Sequence, residues 1–142
     1  PFTSICRMQD LPGQRLFQYL DEDGVPCPVT SCDVNGYIGE TMGEEFTAKH
    51  FRTWHASVIA LEALADVPGR RSIREVMQHV ADNLGNTPAI ARNSYVHPAI
   101  VALIDEQEEW RAALCLPRRT RWLDRHERAL LDVLENGWQS GN

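Results

Sequence analysis

Apolar residues recur at helical spacing along most of this chain, in runs cut by glycine and proline. Phe51, Trp54, Val58, Leu61 and Leu64 step by three and four, which predicts a helix over 48–65 that Pro68-Gly69 ends. Thr47 is its expected N-cap, with Phe46 and Phe51 as a hydrophobic staple across the first turn. That turn carries Lys49 and Arg52, so packing rather than a loop aims both cations. Ile73, Val76, Met77, Val80 and Leu84 form the next stripe. Ser72 and Glu75 open it as a capping box, and Gly85 closes it. Thr87 and Pro88 then start a short helix reaching about residue 95, because proline at the first helical position loses no hydrogen bond. His97, which precedes Pro98, must leave the helical region. A longer helix is expected over 98–114, with Ile100, Val101, Leu103 and Ile104 inside and Glu106, Glu108 and Glu109 in solvent. Asp124 and Glu127 repeat the capping logic before Ala129, Leu130, Val133 and Leu134, and Gly137 stops this last helix.

The opening third is less regular. Phe2, Ile5 and Cys6 read as a helix end, halted at residues 11–13. Residues 16–20 are a strand or a helical turn, Asp21 to Gly24 is a turn, and Pro26 and Pro28 keep the next residues extended. Ser31 or Cys32 is expected to open a short helix to Met42, with Tyr37, Ile38 and Met42 inward and Gly43 left-handed at its end. Gly36 and Gly39 each weaken it by about 1 kcal/mol relative to alanine. The fold class is mainly α: about seven helices in a compact bundle, little sheet, and one domain over residues 1–142.

Composition changes this picture little. A chain of 142 residues with 43% hydrophobic and 24% charged positions suits one globular domain. No apolar run approaches the ~20 residues of a membrane span. Cys6, Cys27, Cys32 and Cys115 show no CxxC and no zinc spacing, and a reduced, cytosolic setting is the default. The net charge of -6 argues against simple nucleic-acid coating. Its distribution matters more. Residues 1–48 hold 2 basic and 8 acidic side chains, 49–100 hold 6 and 4, and 101–142 hold 6 and 8. The middle segment is net positive, and it contains Arg52 and Tyr95. That is modest support for an anionic ligand there; surface scatter would give the same sign.

The candidate chemistry lies in residues 84–98, LGNTPAIARNSYVHP. Tyrosine is a poor nucleophile at neutral pH, since a free phenol ionises only near pH 10. Cations that stabilise charge passing through an attacked phosphate make it a usable one. Taken alone, Tyr95 reads as a half-buried helix-end residue, Arg52 as a surface arginine paired with Glu62 or Glu75, Asn86 as a turn residue and Lys49 as solvated. His55 and His79 read as surface or structural.

Three stretches together change that weighting: TAKHFRTWH (47–55), LGNTPAIARNSYVHP, and LPGQRLFQYLDEDG (11–24). In this order and spacing they resemble the type IB DNA topoisomerases in their bacterial, poxvirus-like form. The likeness covers nearly the whole chain, including the closing RHERALLDVL. The resemblance implies a tyrosine that attacks one strand of duplex DNA, leaves a 3′-phosphotyrosyl link and a 5′-hydroxyl, and reseals after strand rotation, with no metal, ATP or other cofactor. It implies double-stranded DNA as partner, no membrane, and a monomer working in the cytoplasm at the nucleoid. By the same resemblance Tyr95 is the nucleophile and Arg52 the second of two phosphate-holding arginines. Asn86 fills the position that bonds a non-bridging oxygen, and Lys49 supports the charge network. His97 has no role in that pattern, and His50 stands where an aspartate is usual. A first catalytic arginine and a general-acid lysine, which family members carry ahead of the LPGQ stretch, find no match here. The chain is therefore expected to be the C-terminal part of such a catalytic domain, weak or inactive alone. Two rivals stay open: a tyrosine recombinase, which usually shows HxxR and LGH instead of KHFR and LGN, and a non-catalytic helical interaction module.

Overall fold

A hairpin opens the described part of the chain. The computed structural model describes residues 15–66 and 68–138, so the expected helix end at 2–10 and its stop at 11–13 lie outside the described residues. Strand β1 (Gln18–Leu20) pairs antiparallel with β2 (Pro26–Pro28), Tyr19 opposite Cys27. The Asp21 carboxylate accepts the N–H groups of Asp23 and Val25 at 3.0 and 2.8 Å, and Gly24 takes the positive φ of 77° that the turn needs. Proline suits the partner strand because a two-stranded ribbon leaves each strand an outer edge.

Helix α1 spans Ser31–Met42. It opens at Ser31, one of the two expected starts, and its cap is Thr30, because Asp33 stands three positions on and closes a reciprocal box: the Thr30 hydroxyl accepts the Asp33 N–H, and the Asp33 carboxylate accepts the Thr30 N–H at 2.7 Å. The expected inward face is not found. Tyr37 and Met42 are exposed and Ile38 is half-buried. Gly43 has φ 124° and ψ 144°, outside the left-handed helical region, since the chain leaves extended into a tight turn where the Phe46 N–H meets the Gly43 carbonyl. The hairpin and α1 belong to a first compact unit that ends at Ala48, whose N–H is taken by Asn35 Oδ1 at 3.0 Å.

The second unit begins at Lys49. It holds α2 (Ala48–Ala65) beyond its first residue, α3 (Ile73–Leu84), and α4 (Pro88–Ile90) running on into a wide π turn (Ala91–Tyr95). After these come α5 (Pro98–Leu103), α6 (Gln107–Ala113) and α7 (Arg125–Asn136). The chain is mainly helical, with seven helices and one short hairpin among the described residues. The core joins Val58, Leu61 and Leu64 of α2 to Val76 and Val80 of α3, Ile100 and Leu103 of α5 and Leu130 of α7. From Ala56 to Leu61 helix α2 is buried on every face, the signature of a central helix. Phe51, expected in its buried stripe, is exposed.

The expected 98–114 helix is two helices. Gln107, 1% exposed, forces the break: its amide donates to the Ile104 carbonyl at 2.6 Å and the Arg71 carbonyl at 2.8 Å, and its oxygen accepts the Arg71 N–H at 2.6 Å. A buried amide must be satisfied, and here it satisfies the carbonyl freed by the interruption. Helix α7 is tied to α2 twice: Trp54 Nε1 donates to Glu127 at 3.1 Å, and His126 sits 3.3 Å from both Glu62 and Asp66. Arg111 donates to the carbonyl of Leu64 in the last turn of α2, where a cation is favoured, and to that of Gly69 just beyond the helix.

Candidate active site

Two ends of one segment meet α2. The first is the close of α3. Gly85 has φ 65° and ψ 39°, the left-handed conformation that costs glycine nothing, and the N–H groups of Gly85 and Asn86 both reach the Ala81 carbonyl. This reversal brings the Leu84 carbonyl to Arg52, whose Nη2 donates to it at 2.7 Å. Thr87 then caps α4 through the Ile90 N–H, with Pro88 in the first turn, as the sequence predicts.

The second end holds the tyrosine. The expected helix to residue 95 is present but widens after Ile90. The Val96 N–H bonds to the Ala91 carbonyl five residues back, at 2.9 Å. One residue more per turn rotates Tyr95 off the α-helical register, a device that recurs at functional sites. Fully buried Ala91 and nearly buried Val96 pin the two ends of this turn in the core, while the Tyr95 ring is half-buried against it. His97 leaves the helix at ψ 138° and caps α5 by accepting the Ala99 N–H at Nδ1.

The Arg52 guanidinium lies over the Tyr95 ring, 5.1 Å from its centroid. A phenol and a guanidinium 43 positions apart in sequence are therefore in contact. Neither carboxylate considered as an Arg52 partner takes it. Glu62 faces His126, and Glu75 accepts the Ser72 hydroxyl and N–H. Arg52 is exposed, and its bond to Leu84 uses one of five N–H donors.

Asn86 is half-buried, and its Nδ2 is buried with no hydrogen-bond partner among the described residues. A buried amide donor left unpaired costs free energy. Lys49 is exposed, one turn before Arg52 on α2. Among the described residues it makes no hydrogen bond or ion pair with Arg52, Asn86 or Tyr95. The structure thus brings Arg52 and Tyr95 together, places Asn86 two residues from the carbonyl that Arg52 holds, and leaves Lys49 outside the cluster. No pattern of residue types pointed to Ser57, which is 2% exposed and accepts the His97 N–H at 3.0 Å. The available signal was a hydroxyl placed on an otherwise apolar stretch of α2.

Fold and site together define a helical domain that sets a tyrosine on a widened turn beneath an arginine fork. Comparison with known proteins specifies the class. Residues 2–112 match the family described as eukaryotic DNA topoisomerase I, catalytic core, and the chain belongs to this family of type I topoisomerases. It is 34% identical over 120 residues to "DNA topoisomerase 1B" of Acanthamoeba polyphaga mimivirus, an alignment covering 75% of this chain and 36% of that protein. The chain thus spans about a third of the length of the curated relative it matches.

Proposed function

We propose that this chain supplies the tyrosine half of a type IB DNA topoisomerase site. The Tyr95 oxygen attacks a backbone phosphorus of duplex DNA. The bond from phosphorus to the 5′-oxygen breaks as the phosphotyrosyl bond forms, leaving a 3′-phosphotyrosine and, after protonation, a 5′-hydroxyl. The same hydroxyl attacks back after strand rotation, so the ester energy is conserved and the net reaction changes only DNA topology. Negative charge grows on the non-bridging oxygens in the transition state, where fixed donors lower the barrier most. Arg52 offers a planar fork to two such oxygens. Asn86 offers an amide donor whose charge does not vary with pH. Lys49, one turn away, adds positive potential. The partner is double-stranded DNA, bound by a monomer at the nucleoid. No helix among the described residues is long and apolar enough to cross a membrane.

The observation that carries this reading is the Arg52–Tyr95 contact in a chain of this family. The test is covalent trapping on a nicked or suicide duplex with the enzyme at full natural length. The wild type is expected to leave a protein–DNA adduct that alkali-stable phosphotyrosine mapping assigns to Tyr95, and Tyr95→Phe none. An adduct of undiminished yield from Tyr95→Phe would overturn the assignment.

A further inference from the structure

Segment 84–97 is anchored to α2 at both ends, and the second anchor has no part in the chemistry just described. Ser57 lies on α2 five positions beyond Arg52, inside the buried stretch. A hydroxyl in such surroundings is costly unless both its hydrogen bonds are made. Both are made. Ser57 Oγ donates to the Thr53 carbonyl at 2.8 Å and accepts the His97 N–H at 3.0 Å. The donated bond fixes the hydroxyl on its own helix, which turns its acceptor lone pair toward the incoming chain.

The His97 N–H needs this acceptor. The π turn closes at the Val96 N–H, and His97 has extended backbone ahead of Pro98, so no helical carbonyl is in reach. Ser57 therefore holds the chain two residues beyond Tyr95, where the widened turn ends. Arg52 holds the same segment at Leu84. Both anchors sit on one rigid helix, so the helix that aims the guanidinium also sets the position of the phenol.

We infer that Ser57 is a positioning residue for the tyrosine: it registers the Tyr95 turn against Arg52 without touching DNA or the reacting atoms. This rests on the Tyr95 reading above. A displacement of about 1 Å at a reacting group can cost on the order of 10²-fold in rate. Loss of one anchor of two is expected to slow strand cleavage by about tenfold or more.

The test uses the enzyme at full natural length, with single-turnover cleavage of a suicide duplex at saturating DNA, duplex Kd, and melting temperature. Ser57→Ala is expected to cleave at least about tenfold more slowly with duplex Kd unchanged. Val80→Ala, a truncation at a fully buried site on α3, controls for stability. It is expected to lower the melting temperature at least as much while cleaving at the wild-type rate. The inference is overturned if Ser57→Ala cleaves at the wild-type rate, or if both variants lose cleavage in proportion to their loss of melting temperature. Failure of the underlying reading is distinguishable, since it appears as adduct formation by Tyr95→Phe whatever Ser57→Ala does.

Discussion

Arg52 keeps donors to spare for the incoming phosphate of the proposed reaction. One N–H holds the Leu84 carbonyl, and the guanidinium plane rests on the Tyr95 ring. On the proposed reading, replacing it with alanine removes a donor to the transition state, and single-turnover cleavage is expected to fall by about 10²–10³-fold. Arg52→Lys is expected to recover little, because an ammonium is a point charge without the fork. Asn86 allows a sharper separation. Its buried Nδ2 has no partner among the described residues, so Asn86→Ala sacrifices no hydrogen bond from that atom. Cleavage is expected to slow by about tenfold or more while the melting temperature stays near wild type; equal losses in both would mean that the side chain serves the fold. At this scale Tyr95, Arg52, Asn86 and Lys49 were singled out by the resemblance of three motif stretches, since each of them alone reads as an ordinary surface, turn or helix-end residue. Ser57 was not, since a small residue on a helix stripe looks the same whether or not a distant N–H needs it.

Among the elements, the ends of α3 matter most to the site. Gly85 reverses the chain at positive φ, and nothing lies within 4 Å of where a Cβ would stand. The cost of Gly85→Ala is therefore conformational, about 1 kcal/mol of stability by denaturant melt, and Gly85→Asn should cost less. At the other end, hydrogen bonds from the Ser72 side chain and backbone hold the Glu75 carboxyl below the usual glutamate range. A carboxyl whose folded value is depressed stabilises the fold above its unfolded value and loses that contribution as pH falls through the folded one. The α3 cap is thus expected to weaken progressively below about pH 4. Ser72→Ala should flatten that part of the acid-side melting curve, and an unchanged slope would contradict the assignment. Helix starts and stops were legible because caps are local: Thr87-Pro88, Ser72–Glu75 and Asp124–Glu127 each fall where the residues predict. The division of 98–114 into α5 and α6 was not, because its cause is a contact between Gln107 and Arg71, 36 positions apart.

Taken whole, the chain is acidic, and its net-positive middle segment coincides with the site. The relative it matches is almost three times as long as the aligned region. The resemblance implies a first phosphate-holding arginine besides Arg52 and an acid for the leaving 5′-oxygen, and no residue of this sequence matches either. These 142 residues alone are therefore expected to relax a supercoiled plasmid weakly or not at all, since loss of general-acid assistance costs about 10²–10⁴-fold. Robust relaxation by the purified chain would show that the acid lies within it.

Sequence alone determined where most of the helices begin and end and that the chain is mainly helical, because caps and periodicity act over a few positions, while the tyrosine and arginine to watch came from the resemblance of its motif stretches. Tertiary structure decided the rest. It turned Tyr37 and Met42 of α1 outward, split one expected helix in two, widened the turn beneath Tyr95, and bound both ends of its segment to α2. Those outcomes depend on which distant group satisfies a buried donor or acceptor, and that is settled only when the helices pack.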